Sequence, residues 1–205
     1  SSPSGLSGSI SHDALGRVAK SVSTGGNATA FAYEETFGNL KTVTDAKSHA
    51  VTYGYDAKGR GTSVSFPDGS MSKVEYNDRG DVVKSYNRRG QSIAYAYNAE
   101  GDRVSETWAS GRTFTWEYDA KGNCMRATDS ETGAVTMEYD ENERLVRITY
   151  PQNRGFTYAY DAYGRVTART SFDGAAQKYE YDAFGRIAKM TDGAGNLYVA
   201  NTYDP

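Results

Sequence analysis

The sequence contains few of the residues that build most metal and disulfide sites. Its 205 residues include one cysteine, Cys124, and two histidines, His12 and His49. A single cysteine excludes an intramolecular disulfide, and we expect Cys124 to be a small buried hydrophobe. Zinc is held mostly by cysteine and histidine, so no zinc site is expected. No run of 18 apolar residues occurs, and we therefore predict no membrane-spanning helix.

An excess of charge of one sign is also missing. The formal net charge is -3, whereas a nucleic-acid-binding surface would need a basic stripe, so no nucleic-acid partner is expected. The mean hydropathy of -0.70 is low for a packed globule. However, 17 tyrosines, 7 phenylalanines and 2 tryptophans are too many for a disordered chain. This composition favours a thin, extended sheet over a thick apolar core.

The most informative feature that is present is a repeat of 21 residues. It is marked by tyrosines that recur without a slip, at Tyr55, Tyr76, Tyr97, Tyr118, Tyr139, Tyr160 and Tyr181. A fixed period indicates stacked units that cannot bury their faces alone. We assign residues 1–11 to a flexible lead-in and residues 12–205 to one array, with about eight complete repeats and a partial one.

Each repeat predicts two β-strands. Before the tyrosine, apolar and polar residues alternate, as in Phe114, Trp116 and Tyr118 against Thr115 and Glu117. A period of two indicates a strand with two unlike faces, whereas a helix would need apolar residues three and four apart. The stretch after the turn alternates less cleanly, which predicts a β-bulge or a strong twist.

The segment after each tyrosine predicts a tight turn, which we call the tyrosine turn. Aspartate suits the first position of a type I turn, and glycine three residues later suits a left-handed conformation. The predicted structural turn residues are Tyr55, Asp56, Gly59, Tyr118, Asp119, Gly122, Tyr160, Asp161, Gly164, Tyr181, Asp182 and Gly185.

One tyrosine turn lacks its glycine and has Glu143 instead. We expect the preceding Asn142 to hold the positive φ in a shifted register, since asparagine tolerates the left-handed region. This turn is predicted to be the most irregular of the series.

The repeats together predict an all-β fold made of tandem β-hairpins in a large antiparallel sheet of about 17 strands. Open sheets rarely exceed about ten strands without curling, so we expect a curved or spiralling sheet around a hollow. Successive tyrosines should lie two strands apart, about 9.6 Å, so a side chain of the intervening strand must bridge their rings.

The Tyr-Asp-x-x-Gly-Arg turn at this spacing, with Asp-Gly turns between, resembles the YD repeat of the RHS family. That family includes bacterial RHS toxins, insecticidal toxin complexes, wall-associated proteins and teneurins. The resemblance covers residues 12–205. It implies a section of a hollow spiral shell, exported as part of a larger secreted or cell-surface bacterial protein. The implied partners are the remainder of that chain, or other copies through open sheet edges, and an enclosed toxin polypeptide.

Some residues of the repeat are of types that also serve in catalysis or ligand binding. Repeated carboxylates could form a glycosidase pair, yet Asp56, Asp119 and their equivalents have a turn-forming role in every repeat. No motif places serine, histidine and aspartate together as a triad, so neither an enzyme nor a cofactor is predicted. Trp108 and Trp116 are the candidate ligand-binding aromatics, with glycans as the expected ligand of an alternative adhesion module. Trp108 is expected to be exposed and Trp116 covered.

Overall fold

The structure, a computed structural model, describes residues 8–203, and almost all of its regular elements are β-strands. The exception in this range is a short 3-10 segment at Pro151–Asn153. The strands are β1 (Ser9–His12), β2 (Val18–Val22), β3 (Ala28–Tyr33), β4 (Leu40–Thr44), β5 (Ala50–Tyr55), β6 (Gly61–Ser65), β7 (Met71–Tyr76), β8 (Val82–Tyr86), β9 (Ser92–Tyr97), β10 (Arg103–Trp108), β11 (Thr113–Tyr118), β12 (Cys124–Asp129), β13 (Gly133–Tyr139), β14 (Leu145–Tyr150), β15 (Arg154–Tyr160), β16 (Val166–Ser171), β17 (Ala176–Tyr181), β18 (Ile187–Asp192) and β19 (Leu197–Ala200).

The chain divides into two compact units, Ser1–Tyr95 and Ala96–Pro205, and the division falls within β9. In the first unit, β1 to β9 pair antiparallel in chain order. In the second unit, β10 to β19 do the same. The fold prediction of tandem hairpins in antiparallel sheet is therefore confirmed. No helix among residues 8–203 is long and apolar enough to cross a membrane.

The first strand begins earlier than the predicted array. Residues 1–7 of the expected lead-in lie outside the described residues, but β1 starts at Ser9 and pairs with β2. The backbone ladder, rather than the side-chain pattern of Ser9–His12, orders this segment, because all four of its residues are exposed.

The predicted bulge lies next to the recurring tyrosine in seven of the hairpins. In the hairpin of β11 and β12, Tyr118 pairs with Cys124 and Glu117 pairs with Arg126, so Met125 has no opposite residue. The same shift precedes Tyr55, Tyr76, Tyr139, Tyr160 and Tyr181. The bulge moves the tyrosine out of simple alternation and increases the local twist.

The two faces of the strands differ in chemistry. Along β11, half-buried Phe114, Trp116 and Tyr118 alternate with exposed Thr115 and Glu117. The polar face carries cross-strand threonine pairs and ion pairs, including Glu138 with Arg147 at 3.6 Å. Among residues 8–203 no hydrophobic side chain is fully buried. Backbone ladders and contacts between neighbouring repeats must therefore supply most of the stability that a core supplies elsewhere.

The glycine positions of the turns are left-handed. Gly59, Gly164 and Gly185 have φ of 78°, 81° and 80°. The expectation for the turn without glycine was wrong, because Glu143 itself adopts φ 63° and the register does not shift. Its amide donates to the Asp140 carbonyl at 3.0 Å, as glycine amides do in the other turns. The two main-chain hydrogen bonds of the turn therefore outweigh the steric cost of a side chain in the left-handed region.

This strained position generates a stability prediction. Glu143→Gly should stabilise the protein by about 1 kcal/mol, because the left-handed conformation costs a residue with a Cβ about 1–2 kcal/mol. The ion pair that is lost, Lys121 to Glu143 at 3.3 Å, is exposed on both sides and contributes little. Urea unfolding measures the change. Gly164→Ala is the matched control and should destabilise by a similar amount, and a destabilised Glu143→Gly protein would contradict this account.

Candidate functional site

The tyrosine turn is the arrangement of polar groups that recurs most regularly in the structure. In the turn after Tyr55, Asp56 Oδ1 accepts hydrogen bonds from the main-chain N–H groups of Lys58 and Arg60, at 2.8 and 2.9 Å. The aspartate side chain thus caps amides that face the inside of the turn, as an aspartate at this position is expected to do. Asp119, Asp161 and Asp182 accept the same pair of bonds in their turns.

The second carboxylate oxygen binds the side chain four residues later. In five turns this side chain is arginine, whose Nε donates to aspartate Oδ2 at 2.6–2.7 Å, in the pairs Asp13–Arg17, Asp56–Arg60, Asp140–Arg144, Asp161–Arg165 and Asp182–Arg186. Where the turn begins with asparagine, the residue four positions later is aspartate. In one such turn Asn77 Nδ2 donates to Asp81 Oδ2 at 2.9 Å. The two side chains at the ends of the turn therefore always form a donor–acceptor pair, whichever of them is the donor.

One turn has an additional residue and a longer acid. Glu34 takes the place of aspartate, and its carboxylate accepts hydrogen bonds from the amides of Thr36, Phe37 and Asn39. The extra methylene of glutamate spans the larger loop, which closes through the bond from the Glu34 amide to the Asn39 carbonyl at 2.9 Å. The turn chemistry therefore survives the insertion.

The recurring tyrosine connects one repeat to the preceding one. Its hydroxyl donates to the main-chain carbonyl fifteen residues earlier, at the start of the preceding repeat's second strand, over distances of 2.6–3.0 Å. The bonds are Tyr33–Val18, Tyr55–Leu40, Tyr76–Gly61, Tyr118–Arg103, Tyr139–Cys124, Tyr160–Leu145 and Tyr181–Val166. A phenylalanine could not make this bond, although it would fill the same space.

The turn arginine supplies the bridging group between successive tyrosines. Arg144 lies over the ring of Tyr160 in the next repeat, with its guanidinium carbon 4.8 Å from the ring centroid. It also donates to the main-chain carbonyl of Asp161 at 3.2 Å. Arg17, Arg60, Arg165 and Arg186 lie over the next tyrosine in the same way, at 4.2–4.6 Å. Two contacts together form what we call the clasp. One is the hydroxyl bond of the recurring tyrosine, and the other is the arginine that lies between the aspartate of its own turn and the tyrosine ring of the next repeat.

The pKa values of the turn aspartates and of the recurring tyrosines are shifted in opposite directions. The hydrogen bond from the Arg144 guanidinium, followed by the Arg144 amide, lowers the pKa of Asp140 below its ordinary value. Burial opposes this effect in Asp161, but the hydrogen bonds from Arg165 outweigh it and the pKa of Asp161 is also lowered. Burial raises the pKa of Tyr139 and of Tyr160. The carboxylates therefore stay charged and the phenols stay protonated, the forms in which they accept and donate.

The predicted ligand-binding aromatics lie on neighbouring strands of the second unit. Trp108 is 41% exposed at the end of β10, whereas Trp116 is half-buried. Phe114 lies between them, with ring centroids 5.7 Å from Trp108 and 6.4 Å from Trp116. Arg103 covers the Trp116 ring at 4.6 Å. Glycan binding by these tryptophans remains a prediction.

The remaining candidate groups are committed to local contacts. His49 Nδ1 lies 3.0 Å from Asp45 Oδ2 within one turn. Cys124 is half-buried rather than fully buried, and its carbonyl accepts the Tyr139 hydroxyl at 3.0 Å. Within residues 8–203, no group of three or more histidine, cysteine, aspartate or glutamate side chains is arranged to hold a metal ion.

Comparisons with known families agree with this repeat chemistry. The family model of the teneurin YD-shell matches residues 73–205, and that of the RHS repeat matches residues 35–71. The chain belongs to the YD-shell family. It is also 34% identical over 87 residues to the double-stranded DNA deaminase toxin A of Burkholderia cenocepacia (strain H111), which is 40% of this chain and 6% of that protein.

Solved structures show the same fold in larger proteins. The crystal structure of TcdB2-TccC3-TEV aligns with a TM-score of 0.65 and 14% identity, over 91% of this chain and 11% of that chain. The Photorhabdus luminescens Tc holotoxin pore aligns with a TM-score of 0.55 and 14% identity, over 89% of this chain and 12% of that chain. This YD-shell chain therefore spans about a tenth of the length of these structural relatives.

The clasp predicts that one hydroxyl has a measurable effect on stability. Tyr160→Phe removes the donor to the Leu145 carbonyl, a bond of 2.7 Å, and keeps the ring under Arg144. The free energy of unfolding should fall by about 1 kcal/mol. Tyr163→Phe is a matched control from the same turn, because Tyr163 is 84% exposed. Urea unfolding should leave this control unchanged, and equal effects of the two substitutions would contradict a role for the Tyr160 hydroxyl.

The turn carboxylates also predict a pH dependence. Because folding lowers the pKa of Asp13, Asp56, Asp140, Asp161 and Asp182, each adds stability above the unfolded value of about 3.9. This contribution is lost as the pH falls through the lower folded values. Thermal unfolding should therefore give a nearly constant Tm from about pH 7 to 5 and a falling Tm below about pH 4. A Tm that does not change down to about pH 2 would contradict the assignment.

Proposed function

We propose that this chain is a structural, non-enzymatic wall segment of a bacterial RHS-type shell that encloses and protects a toxin polypeptide. The observation that carries the proposal is the contact between neighbouring repeats, a tyrosine hydroxyl bond at seven junctions that an arginine contact completes as the clasp at four of them. A chain whose chemical groups are occupied in joining neighbouring repeats is suited to forming a continuous wall. The wall would act as a barrier between an enclosed polypeptide and proteases in the surroundings.

Membership of the YD-shell family and the fold shared with the Tc toxin structures support this role. The similarity to a deaminase toxin supports a toxin as the enclosed polypeptide. In the proposal, the rest of a larger chain completes the shell, and the whole is exported to the cell surface or the medium. The exposed end strands β1 and β19 are the edges at which neighbouring wall segments would continue the ladder.

Protease protection in the full-length parent protein tests the proposal. In the intact parent, the toxin polypeptide should resist limited proteolysis under conditions that digest the same polypeptide when it is produced alone. Removing two neighbouring clasps with Tyr160→Ala and Tyr181→Ala should open the wall and make the toxin polypeptide cleavable.

The control is Leu15→Ala, which removes an exposed side chain from another tyrosine turn. The control should protect the toxin as well as the unchanged parent does. A toxin polypeptide that is digested equally fast in the intact parent and when free would contradict enclosure.

A further inference from the structure

The turn between β14 and β15 differs from the other turns that connect repeats. Gln152 and Asn153 are consecutive residues with φ of 65° and 56°. The other two non-glycine residues with positive φ in residues 8–203, Ser48 and Glu143, occupy a position at which other turns have glycine. Strain of this kind persists where the surrounding structure requires it and is concentrated at functional sites.

A cavity of about 670 Å³ opens beside this turn. Three aromatic rings line it, from Tyr150, Phe156 and Phe172. The volume is within the range of sites for small ligands, which are largely apolar with a few polar groups that fix orientation. The strained turn and the cavity therefore coincide.

Gly155 forms the tightest part of this cavity. It is buried, and a Cβ at this position would lie 2.1 Å from the Ile148 carbonyl oxygen and 2.8 Å from the Phe172 ring. Only glycine allows the Phe172 ring to lie against the backbone here. Arg147 and Arg169 lie over the rings of Phe172 and Phe156 at 4.5 and 3.6 Å. The apolar walls are thus held in position.

The polar side chains at the rim make fewer contacts within the protein. Arg154 is exposed, and in the part of the chain that the structure describes its side chain makes no ion pair, hydrogen bond or ring contact. Most other arginines of the protein pair with a carboxylate or lie over a ring. Asp173 accepts from the Ala175 amide at 3.1 Å and from the Ser171 hydroxyl. A carboxylate has room for further donors.

We propose that this cavity, which we call the β14–β15 pocket, binds an acidic saccharide that contains uronic acid. A sugar ring presents C–H groups to an aromatic face such as that of Tyr150, which is 38% exposed. Its hydroxyl groups both donate and accept, which matches the Asn153 amide and the Asp173 carboxylate. A uronate carboxylate would give Arg154 the planar, bidentate partner that guanidinium prefers.

The pairing of the strands favours a saccharide over an extended peptide. A peptide that adds to a sheet needs a free strand edge, but β15 pairs with β14 on one side and with β16 on the other. Recognition must therefore come from side chains at the rim. The pocket is separate from the clasp and from Trp108 and Trp116, so its occupancy does not depend on the proposed shell function.

Titration of the chain with trigalacturonate, followed by heteronuclear NMR, tests the proposal, with neutral cellotriose as the comparison. Trigalacturonate should shift the amide signals of residues 150–156 and 171–173, and it should bind more tightly than cellotriose. Arg154→Ala should weaken trigalacturonate binding about tenfold, because it removes a hydrogen bond between charged groups. Tyr150→Ala should weaken both saccharides.

The matched controls are Arg89→Ala, from another turn that connects repeats, and Trp108→Ala, from the other aromatic group. Both should leave trigalacturonate binding unchanged. If Arg89→Ala and Arg154→Ala reduced the affinity for trigalacturonate equally, the binding would reflect a general attraction to positive charge, and the proposal of a specific pocket would be overturned. Shifts centred on Trp108, or the absence of shifts at about 10 mM trigalacturonate, would also overturn it.

Discussion

The hydrogen bond from a tyrosine hydroxyl to the main chain of the preceding repeat is the interaction on which the rest of this structure depends. No hydrophobic side chain in residues 8–203 is fully buried, so neighbouring hairpins cannot be joined by a core. A single hydrogen bond of this kind contributes only about 1 kcal/mol. It is repeated at seven of the recurring tyrosines, however, and at four of them an arginine contacts the same tyrosine ring. Stability in such an array is a sum of similar contributions between nearest neighbours.

The tyrosine turn also positions the arginine that contacts the tyrosine ring of the next repeat. The aspartate binds two amides of its own turn and the arginine side chain together, so the guanidinium is held where the next tyrosine ring lies. Turns with other residues keep the same complementarity, as the exchange of Asn77 with Asp81 shows. The sequence of a turn can therefore vary while its hydrogen bonds do not, and this freedom suits a wall with many non-identical repeats.

Much of the fold could be predicted from the repeat, since the spacing of Tyr118, the alternation before it and the glycine after it each have a local physical cause. The clasp could not be predicted by considering one repeat at a time, because its contacts join residues of neighbouring repeats. A signal was nevertheless present. The aromatic position at the turn is always tyrosine from Tyr33 onward, whereas two residues earlier Phe31 and Trp116 stand where other repeats have tyrosine. The prediction that Asn142 would hold the positive φ was wrong, because the main-chain hydrogen bonds of the turn outweigh the strain of a left-handed Glu143. The β14–β15 pocket depends on the packing of Phe172 against Gly155, which no local pattern reveals.

A double-mutant cycle across two repeats tests most directly the claim that neighbouring repeats are held by the clasp. Arg144→Gln, Tyr160→Leu and the double variant would each be unfolded in urea and compared with the unchanged protein. The account predicts a coupling free energy of about 0.5–1 kcal/mol between the two positions, because each substitution removes the same contact between guanidinium and ring. Effects that add within about 0.3 kcal/mol would contradict it.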